Sequence, residues 1–453
     1  MTIMTDLEKA FAALVAKSGI YETLFNYAEG DQPLVYSTSR LKEAFNNINA
    51  RFSQNWCSVV IDSALDRITF NGWANKSKQI TDKLQDIFSE LEINIDAYDI
   101  HRAASIASES YAIVWKNSEG VKEFNYNDPR LCHVFYMSDN PKVPDFACKW
   151  YRDGKQYKIV LYYRDRLEYY ETGSVRNVPT SAKAFKPSEI PRAENPYGEI
   201  PVFHFFLSRH SKGDLYNIVT LQDAVNKLFA DMMVAAEFVS IQQRYVVTSS
   251  DTVSLKNAPN EIWVLPEGSS AGTFPAADLD NFLKSIDKIA NSIAIISRTP
   301  KHYFYSSGGE VSGEALLAME APLTKKVDQR IASFSSTWAK VGAFLLKLDG
   351  MDLPAKEIQP VWEPATAVQP KTEAETVKIW TEAGTPLRTA LGWAGKTDAE
   401  IKDMEKDKDD EKNKNAVMST QLLEAARLRQ DNSNTQPDQP LNQNTENTND
   451  STN

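Results

Sequence analysis

Ile200-Pro-Val-Phe-His-Phe-Phe206, carried through Ser211-Lys-Gly-Asp214 into the run Leu215 to Val239, decides the architecture. The first piece is short, apolar and rich in β-branched and aromatic residues, which predicts a buried strand. Behind it, Leu215, Ile218, Leu221, Val225, Leu228, Met232, Ala235 and Val239 recur at helical steps. Val219, Phe229, Met233 and Ala236 mark a second apolar face on the same helix. A helix that is apolar on more than one side needs partners on more than one side. No stretch approaches the ~18 apolar residues of a membrane span, so neighbouring copies of the chain are the expected partners.

Upstream, Leu7, Phe11, Leu14, Tyr21 and Phe25 predict a first helix, and Leu41, Phe45, Ile48, Phe52, Trp56 and Val60 a second. Glu29-Gly-Asp-Gln-Pro33 breaks the chain between them. Helices are expected again over 80–91 and 97–110. Short strands follow at 111–115, 121–126 and 131–137, the first two joined by the turn Asn117-Ser-Glu-Gly120. The Tyr-, Trp-, Ile- and Val-dense stretch from Phe146 to Tyr170 predicts an antiparallel meander.

Downstream of the helix, Arg244-Tyr-Val-Val-Thr248 and Glu261-Ile-Trp-Val-Leu265 predict short strands. A returning helix over 276–297 carries Leu279, Phe282, Ile286, Ile289, Ile293 and Ile296 and ends at Thr299-Pro300. The longest helix places Leu316, Met319, Leu323, Val327, Ile331, Phe334, Trp338, Val341, Leu345 and Leu348 at three- and four-residue steps. At about 36 residues it would run roughly 54 Å, with a kink expected at Pro322. A Pro-rich link with Pro354, Pro360, Pro364 and Pro370 leads to shorter charged helices, and the polar residues 431–453 bury too little to offset ordering entropy.

Composition narrows the function classes. A 453-residue chain with 42% hydrophobic residues builds sizeable cores, and its net charge of −11 opposes tight, static binding of duplex DNA. Cys57, Cys132 and Cys148 cannot make a disulfide framework and show no Cys-x-x-Cys spacing. Together with an amino-terminal stretch that lacks a signal-peptide pattern, they predict synthesis in a reducing cytoplasm.

Three local patterns invite an enzymatic reading and fail on context. Gly395-Lys-Thr397 lacks the first glycine of a phosphate loop, because Ala390 stands there, and Thr397-Asp-Ala-Glu400 has capping-box spacing instead. Gly268-Ser-Ser-Ala-Gly272 fits a nucleophile elbow at Ser270, but Thr273-Phe-Pro275 follows where a helix should start, so a turn is expected. Cys132-His133 with Cys148 has no fourth metal ligand at the usual spacing, and buried thiols are expected. No catalytic, cofactor or metal site is expected.

A family resemblance enters on three blocks in order. Asn195-Pro-Tyr-Gly-Glu-Ile-Pro-Val-Phe with Gly213-Asp-Leu and Leu221-Gln-Asp-Ala-Val-Asn226 resembles the portal proteins of tailed phages with long non-contractile tails. Asn55-Trp-Cys-Ser-Val-Val-Ile-Asp62 with Arg67-Ile-Thr-Phe-Asn-Gly72 resembles the early helix and strand of that family. Ser312-Gly-Glu-Ala-Leu316 resembles the start of its longest helix.

The resemblance implies an α+β, mainly helical portal fold. Its parts would be an α/β wing over 1–213, a stem helix over 214–245, a small β-containing clip over 246–275 and a returning stem helix over 276–298. A tunnel loop over 299–312, a long kinked wing helix over 313–350, a helical crown over 351–430 and a disordered tail over 431–453 complete it. It implies a non-enzymatic, twelve-subunit ring at one vertex of the virion head, assembled in the host cytoplasm. Double-stranded DNA would pass through it. The implied partners are the terminase large subunit, major capsid and scaffolding proteins, and head-completion or adaptor proteins, with no membrane.

Within the tunnel loop, Lys301, His302, Tyr303, Tyr305, Gly308 and Gly309 are the expected channel-facing residues, glycine supplying backbone freedom and Lys301, Tyr303 and Tyr305 transient phosphate contacts. The competing classes are a nucleotide hydrolase of the packaging motor, which needs an intact phosphate loop, and a ring-forming scaffold unrelated to DNA.

Overall fold

The structure, a computed structural model, describes residues 4–32, 54–208, 212–240, 244–249, 263–273, 278–304, 313–365, 370–394, 396, 401–414, 418 and 421. The chain divides into two compact units, 1–366 and 367–453. In the first, helix α1 spans Asp6–Glu29 and opens with a capping box, in which Thr5 and Glu8 satisfy each other's backbone amides. It closes on Gly30 in the left-handed conformation. Helix α2 (Trp56–Leu65), strand β1 (Phe70–Ala74), helices α3 (Lys78–Glu90) and α4 (Ile93–Ala107) follow.

Strands β2 (Glu109–Lys116), β3 (Lys122–Asn127) and β9 (Val202–Phe206) make an antiparallel sheet with β2 at its centre. The expected meander is a five-stranded antiparallel sheet. Its strands are β4 (Cys132–Tyr136), β5 (Pro144–Asp153), β6 (Gln156–Tyr162), β7 (Arg166–Glu171) and β8 (Lys186–Glu194) in sequence order. Strand β8 escapes the sequence pattern because Lys186-Pro-Ser-Glu-Ile-Pro-Arg-Ala-Glu194 is polar and largely exposed at the sheet edge, where proline is tolerated.

The pleat of this sheet separates two cores. Phe146, Cys148, Trp150, Ile159 and Leu161 turn to Ala10, Phe11 and Leu14 of α1. Ala147, Val160 and Tyr162 point the other way, with Cys132 and Val134, to Tyr111, Ile113, Ile200 and Val202. Cys132 and Cys148 therefore lie on opposite faces. They cannot share a metal, and burial pushes the Cys148 thiol up to about 12.

Helix α5 is Val219–Ser240. Its start corrects the sequence expectation of Asp214: residues 214–218 form turns, held because Asp214 N–H donates to Ser105 O and its carboxylate is drawn into ion pairs. Strand β10 (Arg244–Val247) pairs with β11 (Ser270–Thr273), so the Gly268 to Gly272 stretch is not merely a turn. Trp263 to Leu265 is not strand, and 261–262 lie outside the described residues.

The returning helix α6 is Asp280–Ser297. It ends at Ser297, with Arg298 left-handed at φ 58° between it and Thr299-Pro300 and Ser297 Oγ donating to Ile293 O at 2.7 Å. The helix expected over 41–60 is described only from Trp56, its earlier part lying outside the described residues.

Helix α7 runs 36 residues, Gly313–Leu348, and continues helical through Pro322. Its Phe334, Trp338, Val341 and Leu345 anchor the largest core together with Phe70, Trp73, Leu84 and Phe205. Phe70 stacks on Trp338 with ring centroids 4.2 Å apart. Trp73 Nε1 donates to Trp338 O at 2.8 Å, and Trp338 Nε1 to His101 Nε2 at 3.0 Å. Each buried indole thus has its acceptor.

Residues 351–365, grouped from sequence with the helical crown, lie in the first unit: strand β12 (Gln359–Trp362) pairs with β1, and Ile358 joins the same core. The second unit contains helices α8 (Pro370–Glu382) and α9 (Leu387–Trp393) and helical residues at 401–414. Ala390 is fully buried within α9, so the position of the missing phosphate-loop glycine is a helix. Gly395 and 397–400 lie outside the described residues, as do 431–453. No described helix is long and apolar enough to cross a membrane.

Candidate functional site

Helices α5 and α6, the segment after α6 and the start of α7 converge with α2 and α1. Leu215, Ile218 and Val225 pack with Ile286, Ala290 and Ile293 against Leu24, Tyr27, Trp56, Val60 and Ile61. The segment 214–240 is thus anchored at its beginning. Several apolar side chains of the helix pair stay open among the described residues: Met233 is 41% exposed, and on α6 Leu283, Ile295 and Ile296 are 42%, 70% and 50% exposed.

Two of the quoted sequence blocks meet at this anchor. Gln222 Oε1 accepts from Trp56 N–H at 2.9 Å, and Asn226 Oδ1 accepts from Gln54 N–H at 3.1 Å. Gln222 Nε2 donates to Gln54 O and Asn226 Oδ1. These contacts satisfy amide groups at the amino end of α2 that no intrahelical carbonyl can reach. Tyr27 adds a hydrogen bond to Asp223 Oδ1 at 2.6 Å.

Three of the six expected channel residues are described. Lys301 Nζ pairs with Asp287 Oδ1 of α6 at 2.9 Å. His302 Nε2 lies 3.1 Å from Glu320 Oε1. The Tyr303 hydroxyl accepts from Arg67 at 2.8 Å and donates to Glu320 Oε2 at 3.3 Å, while Arg67 bonds Glu320 at 2.5 Å. Burial raises the Tyr303 pKa and keeps the phenol protonated. Phe304 packs edge-on against Trp56 at 5.8 Å. The segment entering the loop is therefore clamped at Glu320 and Asp287. Tyr305, Gly308 and Gly309 lie outside the described residues.

Sequence reasoning missed the partners Arg67, Asp287 and Glu320, which are separated from the loop by up to 236 residues along the chain. It also missed a second cluster. Asp214 accepts from Arg330 and from Lys326, the latter at 3.3 Å. Lys326 also donates to Ser297 O at 2.9 Å, and Arg330 to Ser105 Oγ at 3.2 Å. A signal was present: Lys326 and Arg330 sit among Leu323, Val327 and Phe334, all fully buried. Gly213 beside them has φ 84°, and a Cβ there would overlap the Ile106 carbonyl oxygen, so the motif glycine is a steric requirement.

Ser270 is exposed in β11 opposite Val247, and the strand continues to Thr273. Among the described residues no group of three or more His, Cys, Asp or Glu side chains could hold a metal. What the geometry offers is attachment and support around an apolar helix pair.

The architecture defines a mixed α/β protein whose three-stranded and five-stranded sheets and central cores accompany a helical hairpin and a 36-residue helix. The chain belongs to the family of phage portal proteins, SPP1 Gp6-like, whose model matches residues 18–414. A portal protein of Mycobacterium phage D29 is 27% identical over 171 residues, covering 32% of this chain and 34% of that relative. A portal protein of Mycobacterium phage L5 is 31% identical over 98 residues, 20% of each chain. The matched stretches thus span about a third and a fifth of those relatives' lengths.

Among solved structures, a chain from the neck of an empty GTA particle computed with C6 symmetry aligns at a TM-score of 0.44 and 11% identity. It covers 78% of this chain and 91% of that one. A chain from the neck of a native GTA particle computed with C12 symmetry gives the same TM-score and identity, covering 86% and 98%.

Proposed function

We propose that the chain is the structural subunit of a phage-head portal: a homo-oligomeric ring of twelve copies at one vertex, through whose axis double-stranded DNA enters during packaging and leaves during ejection. Family membership supports the portal role. The observation that carries oligomerisation is the apolar surface left on the helix pair by Met233, Leu283, Ile295 and Ile296. Apolar side chains left open along a helix pair belong against another copy.

On this reading 1–213 and 313–350 form the wing, α5 and α6 the stem, the β10–β11 hairpin part of the clip, and the second unit the crown. Residues 299–312 form the tunnel loop, entering the lumen beyond the clamp on Lys301, His302 and Tyr303. The net charge of −11 suits a conduit, because a wall that gripped each phosphate would stall translocation. The packaging terminase and later the head-completion proteins would dock at the ring, and capsid and scaffolding proteins would hold its wing in the virion.

Native mass spectrometry and particle images viewed down the symmetry axis test this reading. Rings with an axial channel wide enough for duplex DNA are expected. A stable monomer at micromolar concentration would sink it.

A further inference from the structure

The cluster around Asp214 has more positive charge than the ring reading uses. A cavity of about 270 Å³ opens where the Gly213-Asp214 turn, the end of α6 and one turn of α7 meet. Three cations line it, Arg298, Lys326 and Arg330, against one carboxylate, Asp214. Arg330 is only 4% exposed and Lys326 only 9%.

Asp214 is shared by Lys326 and Arg330, while Arg298 makes no ion pair among the described residues. Lys326 and Arg330 are one helical turn apart, a spacing at which like charges repel. Buried charge without a counter-charge is costly. Here the consequence is visible, since burial and the Arg298 charge lower the Lys326 pKa to about 7. The remaining donors are those an oxyanion wants: guanidinium N–H groups in a fork, an ammonium, and the side chains of Asn217 and Gln329.

We propose that the cleft lined by Asp214, Arg298, Lys326 and Arg330 binds a phosphate-type oxyanion. The anion supplies the second negative charge and sits between the Arg298 guanidinium and the Lys326 and Arg330 donors that Asp214 leaves over. Free inorganic phosphate and a phosphodiester of nucleic acid share this chemistry. The proposal rests on the cavity alone and stands whether or not the chain forms rings.

The test is thermal unfolding of the full chain at pH 7 in inorganic phosphate against sodium chloride of equal ionic strength, with phosphorus NMR line-broadening as a direct readout. Phosphate at about a hundred times its dissociation constant should raise the Tm by roughly 3 °C beyond the chloride control. Arg298→Gln, at an exposed position that does not endanger folding, should weaken phosphate about tenfold. Lys326→Met, which keeps the buried stem of the side chain, should remove the response. Equal Tm values in phosphate and chloride, or wild-type affinity in Arg298→Gln, overturn the proposal. A thymidine pentanucleotide without terminal phosphates assigns the source: displacement of bound phosphate identifies a phosphodiester, and binding of phosphate alone identifies the free ion.

Discussion

The side-chain carbonyl of Gln222 accepts the backbone N–H of Trp56 at 2.9 Å, joining the first turn of α5 to the first turn of α2 across 166 residues of chain. Both partners are buried, Gln222 completely. The bond decides where α5 leaves the body, because Gln222 Nε2 closes a second contact onto Gln54 O from the same carboxamide.

Gln222→Ala therefore strands the buried Trp56 amide and removes the donor to the Gln54 carbonyl. A buried group left unsatisfied costs about 1–3 kcal/mol. Denaturant unfolding should report a loss of that order, with Trp56 fluorescence changing early in the transition. A loss within ~0.5 kcal/mol, the range of an ordinary surface change, would mean the bond does not anchor α5.

Gly213→Ala should be far harsher than Gly120→Ala. Both glycines have positive φ, 84° and 80°, so both substitutions carry conformational strain of about 1 kcal/mol. Only at Gly213 does the added methyl run into backbone, the Ile106 carbonyl; nothing lies within 4 Å at Gly120. Soluble yield and Tm of the two variants, measured side by side, check this. Equal Tm values would show that the turn yields easily.

The contrast between these glycines also marks what a sequence can disclose. Hydrophobic periodicity located α1, α4, the meander and the 36-residue α7, because burial on one face imprints a period on the residues themselves. Strand β8 left no such imprint, since an exposed edge strand buries little. The clamp at Glu320 was invisible for a different reason: Arg67, His302 and Glu320 are ordinary polar residues until the fold brings them together. Lys326 and Arg330 were legible in principle, as charges inside an apolar stripe, and only their shared partner Asp214 required the structure.

His101 should make the protein acid-sensitive. Fully buried, stacked on Phe334 at 4.7 Å and accepting from Trp338 Nε1, it has its pKa lowered by burial to about 3 from an ordinary 6.5. Between those values the unfolded chain binds a proton that the folded chain does not, so stability is full above about pH 6.5 and falls as pH drops toward 3. Burial lowers His133 to about 4, which adds to the same slope. Unfolding free energy measured from pH 7 to 4 should fall by a few kcal/mol. His101→Gln should be less stable at pH 7 and show a shallower slope. An unchanged slope in this variant would assign the acid sensitivity elsewhere.

The last expectation concerns the clamp at the entrance of the loop. Glu320 takes contacts from Arg67, His302 and Tyr303 at once, at 2.5 to 3.3 Å, and its side chain is 19% exposed. Glu320→Gln keeps the shape and removes the charge that holds Arg67 and orients the imidazole. Partly exposed charge pairs contribute modestly, about 1 kcal/mol or less each, so the body of the protein should keep its Tm within a few degrees. The local effect should be larger. The Tyr303 and Phe304 amides bond Pro300 O and Lys301 O in a single short turn, and such a turn opens independently of the core once its side chains are released. Hydrogen exchange at these two amides should accelerate about tenfold in Glu320→Gln, with the α7 amides around Trp338 unchanged as an internal reference. Lys301→Ala, which frees Asp287 but leaves the Glu320 contacts, should accelerate them less. Equal exchange in Glu320→Gln and the parent protein would show that the aromatic contact between Phe304 and Trp56 alone fixes the segment.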